Sequence, residues 1–152
     1  MTPFFFRPIG FVKSPIKEGR DDGWGDVVAE LHLDDALASG LDGIDGFSHL
    51  VVLYWMHQAT FSPGDDLVRR PRGRADMPEL GIFAQRAKHR PNPVGATAVR
   101  LRARRGAVLE VEGLDAIDGS PLLDIKPYFP AFDRVEDPIV PDWVSILMRG
   151  YF

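Results

Sequence analysis

The stretch Gly81 to Gly95, Gly-Ile-Phe-Ala-Gln-Arg-Ala-Lys-His-Arg-Pro-Asn-Pro-Val-Gly, limits what this chain can fold into more than any other. Pro91 and Pro93 each fix φ and remove a backbone donor, and each pushes the residue before it, Arg90 or Asn92, towards extended conformations. No helix runs through it. The apolar run Ile82-Phe83-Ala84 precedes the loop and the alternating run Ala96 to Arg102 follows it, so both ends are expected to be tied into a sheet. Arg86, Lys88, His89 and Arg90 bring donors and positive charge, and Asn92 brings an amide, a set suited to an anionic or carboxylate-bearing ligand. Two readings fit the loop alone: a Pro-stiffened surface loop with solvated charges, and a ligand cradle.

The 152 residues are enough for one domain with a real core. No cysteine is present, which removes disulfides, thiolate zinc sites and thiol nucleophiles and is compatible with a reducing compartment. The N-terminus lacks a basic region followed by a long apolar core, and the longest apolar run, Leu50 to Met56, is too short to span a bilayer. A cytoplasmic protein is expected. Net charge is 18 minus 22, or -4, which disfavours nucleic-acid binding by the whole surface. Between Arg69 and Arg105, however, eleven basic residues face only Asp76 and Glu79. That asymmetry fits a focused polyanion site.

Phe4 to Val12 reads as a first strand, with Gly10 at a bulge or a close backbone approach. The loop Lys17 to Asp26 carries Trp24 between Gly23 and Gly25, either as a lid over a ligand or as a plug on the core. Val27 to Leu33 alternates, with Val27, Ala29, Leu31 and Leu33 inward and Glu30 and His32 outward. Asp34 is expected to cap a short helix through Leu41. Phe47 to Met56 is apolar on both faces and reads as a central buried strand, with His49 as a hydrogen-bonded core histidine. His57-Gln58 follows at its carboxyl end, where ligand sites concentrate, and both a binding and a structural reading stay open for that pair.

Ala59 to Leu80 lacks periodicity, the pattern of a functional or mobile loop. Ala96 to Ala103 and Ala107 to Glu112 form a hairpin, with Val99 and Leu101 on one face and Arg100 and Arg102 on the other. Asp118-Gly119-Ser120-Pro121 is a turn, and Leu122 to Ile125 a short strand bearing Asp124. Asp142 is expected to cap a helix from Trp143 to Arg149, packed on the barrel or on a second subunit. About seven strand-like segments and two short helices predict a mostly β, single-domain β-barrel or sandwich. It spans residues 1–152, with a core over 9–130 and a tail carrying the short helix over 131–152.

His32, His49, His57 and His89 stand singly, without metal-ligand spacing, so no metal is expected. There is no GxSxG elbow, no Walker loop and no GxGxxG after a strand. A Ser48-His49 nucleophile pair is disfavoured because neighbouring strand residues point to opposite faces. What remains is His57-Gln58, the loop from Arg86 to Gly95, and Asp118-Gly119-Ser120-Pro121 with Asp124 and Lys126.

The segments Gly46-Phe-Ser-His-Leu50 through His57-Gln58, Gly81 to Gly95, and Leu114-Asp-Ala-Ile-Asp-Gly-Ser-Pro121 through Tyr128 resemble the signatures of the TrmO (TsaA-like) family. The resemblance runs roughly from Ile9 to Pro130 and is to a short form without the extra C-terminal domain of the bacterial transfer-RNA enzymes. It implies a β-barrel methyltransferase that binds S-adenosylmethionine outside any Rossmann fold and works as a homodimer. The family's reaction is N6 methylation of threonylcarbamoyladenosine at position 37 of transfer RNA. The resemblance puts cofactor contacts on His57, Gln58, Arg86, Ala96, Asp118, Gly119, Ser120 and Pro121. Lys88, His89, Arg90 and Asn92 are then left to meet the substrate, and Asp124 is the candidate acceptor of the N6 proton. Against the family pattern, Ala87-Lys88 replaces Ser-Pro, Ala96 a larger apolar residue and Ser120 a threonine, and Asp21-Asp22-Gly23-Trp24 stands where a Pro-Arg-Gln element is common. Transfer RNA is the expected partner, with Arg69 to Arg105 facing phosphate, and neither DNA nor a membrane. A methyltransferase of small molecules or proteins, and a non-catalytic RNA-binding or sensor module, are the alternatives.

Overall fold

A computed structural model describes residues 1–152. Its strands are β1 (Gly10–Lys13), β2 (Val28–Leu33), β3 (His49–Trp55), β4 (Val68–Arg69), β5 (Leu80–Gly81), β6 (Val94–Arg105), β7 (Val108–Glu112) and β8 (Pro121–Pro127). Six of them close into an antiparallel barrel in the order β1-β2-β7-β6-β3-β8, with β8 pairing back onto β1, while β4 and β5 make a separate two-stranded ribbon. Closure leaves no free edge in the barrel.

Alternation decides what lies inside. Val12, Ala29, Leu31, Leu50, Val52, Tyr54, Val99, Leu109, Val111 and Leu122 lie inside, and Leu41, Leu114 and Ala116 from the connecting segments complete the same buried cluster. Burying one such aliphatic side chain contributes about 1.5–3 kcal/mol, so stability resides in the closed barrel. Gly10 is a close approach, since a Cβ there would lie 2.0 Å from the His32 carbonyl oxygen.

Several expectations are corrected. The first strand starts at Gly10, because only Gly10 to Lys13 finds partners in β2, and Phe4, Phe5 and Phe6 are exposed without a neighbouring strand. β3 is central in pairing but buried on one face only, since a barrel has a single interior. His49 therefore points outward rather than into the core, with Nδ1 2.8 Å from Ser48 Oγ; the two side chains do meet, because Ser48 lies just outside the strand. Residues 59–80 hold the short helix α1 (Pro63–Asp66) and the β4–β5 ribbon. Ile82-Phe83-Ala84 is a 3-10 turn, with Ile82 buried and Phe83 exposed, so the loop is tied to the ribbon at one end and to the barrel at the other.

Helical structure is also redistributed. Asp34 caps as expected, its Oδ1 accepting from Ala36 N–H at 3.0 Å, but the helix is of 3-10 type over Asp35–Leu41. The expected C-terminal helix is present as α3 (Asp142–Leu147), and α1 and a further short helix, α2 (Pro130–Asp133), were not expected. Asp142 is not the cap of α3: it sits in the first turn, where its charge complements the helix dipole, and Pro141 precedes it. No helix is long and apolar enough to cross a membrane.

Candidate functional site

Where β3 ends and β6 and β8 begin, the barrel opens into a cavity of about 700 Å³, within the range of roughly 300–1,000 Å³ typical of small-molecule sites. Its inner wall is Tyr54, the start of β6 from Val94 to Ala98, and Ser120. The loop from Gln85 to Arg90 forms one side, and α3 with the residues after it forms another through Trp143, Leu147, Met148, Tyr151 and Phe152. This second side is held by backbone pairing to the loop after β1. Gly23 N–H donates to Gly150 O and Trp24 N–H to Tyr151 O, each at 2.8 Å. Trp24 is 2% exposed, with its indole N–H on Arg20 O at 3.0 Å, and it lines the cavity rather than joining the barrel core.

Asp115 ties these walls together. Its Oδ1 accepts from Tyr54 O–H at 3.0 Å and from the Thr97 hydroxyl, and its Oδ2 accepts from Tyr151 O–H. Burial, and then the negative charge of Asp115 beside each ring, raise both phenols above the ordinary tyrosine value. Besides Asp115, the one acid on the lining is Asp21, an exposed side chain that faces Arg72 at 3.5 Å.

The positive charge of the segment from Arg69 to Arg105 divides into two groups. On β6, Arg102 pairs with Glu110 and Glu112, Arg104 with Asp42, and Arg105 with Glu30 and Glu110. Those arginines are neutralised on the outer face of the barrel. At the cavity, Arg86 donates to Ala96 O at 2.7 Å, Arg90 to Gln85 O at 3.1 Å, and Arg20 lies 5.1 Å over the Trp24 ring. None of these three has a carboxylate partner, and neither does Lys88.

Of the residues singled out in the sequence, Gln58, Arg86, Ala96, Ser120, Lys88, His89 and Arg90 come together on the lining. His57 and Asn92 are exposed and lie off it. Asp118 also lies off it: its Oδ1 accepts Ser14 N–H at 3.0 Å and its Oδ2 accepts Lys17 Nζ at 3.1 Å. Those bonds fold the loop after β1 and hold the Asp118 carboxyl below the ordinary carboxylate value, the backbone bond contributing most. Gly119, at φ 78°, supplies the turn that the motif needs, and Pro121 begins β8. Asp124 is half-exposed, 2.6 Å from Lys126, and faces a separate depression with Ile9, Leu33 and Leu37. That position is remote from any chemistry in the cavity.

Ser120 Oγ and Gln85 Oε1 are buried without a hydrogen-bond partner. The Gln85 amide orientation is fixed, because Nε2 donates to both Arg69 O and Leu80 O, so the unpaired atom is an acceptor. Residues that the sequence reading did not single out are Tyr54, Thr97, Asp115 and Tyr151, with the aromatic and aliphatic wall from α3. The available signal was chemical: a tyrosine at a core position of a strand needs a partner for its hydroxyl.

A closed antiparallel barrel whose cationic cavity is fitted to a small ligand defines the class. The model of the tRNA-methyltransferase O N-terminal domain family matches residues 16–134, and the chain belongs to that family. An S-adenosyl-L-methionine-binding protein of Archaeoglobus fulgidus is 41% identical over 133 residues, 85% of this chain and 92% of the relative. The tRNA (adenine(37)-N6)-methyltransferase of Escherichia coli is 37% identical over 150 residues, 90% of this chain and 63% of the relative. The crystal structure of TrmO from Pseudomonas aeruginosa superposes with a TM-score of 0.76 at 31% identity, covering 94% of this chain and 62% of that one. The chain thus spans about three fifths of the solved TrmO chain.

Proposed function

We propose that the protein is an S-adenosylmethionine-dependent methyltransferase whose acceptor is the N6 of a modified adenosine, threonylcarbamoyladenosine, at position 37 of transfer RNA. The observation that carries this reading is the joining, in one ligand-sized cavity, of the Arg86 guanidinium, bonded to Ala96 O but to no carboxylate, with the buried, unpartnered Ser120 Oγ and Gln85 Oε1. A guanidinium suits an amino-acid carboxylate, and orphaned acceptors suit the N–H groups of an amino acid or an adenine. The relatives agree, one being an S-adenosyl-L-methionine-binding protein and another an adenine-37 methyltransferase of transfer RNA.

On this reading Gln58, Arg86, Ala96 and Ser120 hold the cofactor, and Lys88, His89 and Arg90 at the mouth meet the phosphates or carboxylate of the acceptor. The bound cofactor supplies a methyl group already activated on a sulfonium. The chain's own task is then alignment and the exclusion of water, which the rigid barrel wall and the apolar Trp143, Leu147 and Met148 favour. A homodimer belongs to the same reading, supported by apolar side chains left in solvent, such as Phe132 at 84% and Ile139 at 98% exposure. The test is calorimetric titration with S-adenosylmethionine, followed by incubation with methyl-labelled cofactor and total transfer RNA. Binding that Arg86→Ala weakens, with label entering RNA, is expected; no binding, or binding indifferent to Arg86→Ala, overturns the cofactor assignment.

A further inference from the structure

The lining of the cavity is electrostatically lopsided: Arg20, Arg69, Arg72, Arg86, Lys88 and Arg90 contribute positive charge. Against them stand Asp21, at the exposed mouth and facing Arg72, and Asp115, held in the wall. Arg69 is paired with Asp66 and Arg72 with Asp21, so for a cation that passes the mouth Asp115 is the carboxylate left without an ion pair. That carboxylate is fixed by three hydroxyls from three different elements, Tyr54 on β3, Thr97 on β6 and Tyr151 after α3. Two carboxylate oxygens offer about four acceptor sites, so three donors leave one. All three donors are neutral, and no lysine or arginine forms an ion pair with Asp115; the arginine on this side, Arg72, stands over the far partner, 5.7 Å from the Tyr151 ring centroid.

We propose that Asp115 is the charge-selecting residue of the cavity, favouring the cationic sulfonium cofactor over the neutral thioether that methyl transfer leaves behind. The inference rests on the cofactor assignment above. In the reaction the bond from sulfur to the methyl carbon breaks with its electron pair left on sulfur. The acceptor nitrogen forms the new bond to that carbon and releases one proton to solvent. The ligand in the cavity therefore passes from sulfonium to thioether and loses its positive charge, and with it its attraction to Asp115. Product release is helped by the same group that captures the cofactor. Tyr54, Thr97 and Tyr151 act as positioning residues for that carboxylate, and Tyr151 makes the selection depend on the seating of the C-terminal segment.

The experiment is calorimetric titration of the protein with S-adenosylmethionine and, separately, with S-adenosylhomocysteine, so that no turnover is needed. The unmodified protein is expected to prefer the sulfonium by roughly tenfold or more, as one charge pair in a partly desolvated site allows. Asp115→Asn, which keeps the shape and an acceptor, is expected to bring the two affinities within about twofold of each other by weakening the sulfonium alone. Equal binding by the unmodified protein, or a preference that survives Asp115→Asn, overturns the proposal. Should Asp115→Asn lower the melting temperature below that of the assay, Tyr151→Phe serves in its place. It strips one hydroxyl from an intact carboxylate and is expected to widen the preference, and an unchanged or narrower preference counts against the idea. Absence of binding to either ligand is a distinct result, which removes the cofactor assignment itself.

Discussion

Tyr54 and Gly95 are cross-strand partners on β3 and β6, and the tyrosine ring fills the place a side chain at position 95 would take. A Cβ there would lie 2.2 Å from Cζ of the ring. The glycine lets the ring lie flat on the neighbouring strand, and from there its hydroxyl reaches Asp115. Gly95→Ala should therefore cost about 1–3 kcal/mol through overpacking, visible as a melting temperature lower by roughly 2–4 °C per kcal/mol. Combined with Tyr54→Ala, which removes the clashing ring, the glycine substitution should add almost nothing. Additive losses in that double-mutant cycle would show that the contact is not what constrains position 95.

Gly25 plays the matching role at the outer wall. A Cβ at that position would lie 2.5 Å from the backbone carbonyl carbon of Phe152, so Gly25→Ala should dislodge the C-terminal segment while leaving the barrel core intact. Amide exchange at Trp24, whose N–H is bonded to Tyr151 O, should accelerate by tenfold or more, on the order of 1.4 kcal/mol. Affinity for S-adenosylmethionine should fall in parallel, with little change in the urea midpoint of the barrel. Retained exchange protection at Trp24 would mean that the wall tolerates the added methyl.

The difference between those two glycines also marks what could be read from the chain. Alternation over Val27 to Leu33 placed the inner residues correctly, because period-two patterning is local and a barrel has one inside, whereas Phe47 to Met56, apolar at every second position and between, was read as buried on both faces and is buried on one. It failed at Phe4 to Phe6, where β-prone aromatics have no strand to pair with. The loop carrying Arg86, Lys88 and Arg90, which the structure puts on the cavity lining, was legible because two prolines and a charge run are visible without a fold. The Asp115 hub was not, since its partners lie 61, 18 and 36 residues away and no spacing rule links them. Nor was the wall from α3, whose contacts depend on Gly150 and Tyr151 meeting Gly23 and Trp24. Charge counting misled on β6, because Arg102 and Arg105 are offset by glutamates across the sheet, a matter of register rather than of composition.

The two phenols on Asp115 give the fold an alkaline limit. Their folded values lie above the ordinary 10.0, through burial first and the charge of Asp115 second. Above pH 10 the unfolded chain has lost protons that the folded chain keeps. Their contribution to stability is thus intact below pH 10 and is lost as pH climbs towards the folded values. Urea midpoints measured from pH 8 to 11 should be flat up to about pH 10 and then decline. The Tyr54→Phe, Tyr151→Phe double variant should begin lower and decline less steeply. Phenolate absorbance from Tyr54 and Tyr151 in the folded protein near pH 10 would contradict this.

The proposed RNA contact makes a last, quantitative demand on the charges. Lys88 and Arg90 stand at the cavity mouth without carboxylate partners, whereas Arg102 is engaged by Glu110 at 3.4 Å and Glu112 at 2.7 Å. A phosphate contact releases counterions, so log affinity falls with log salt in proportion to the number of cations engaged. Lys88→Ala should weaken binding to transfer RNA and reduce the salt slope by about one, and Arg90→Ala should do the same. Arg102→Ala should leave the slope unchanged, because releasing Glu110 and Glu112 adds negative charge to the outer face without removing a phosphate partner. A filter-binding series from about 50 to 300 mM salt separates these outcomes. A slope that responds to Arg102 as strongly as to Lys88 would move the RNA face from the cavity mouth to the outer surface of β6.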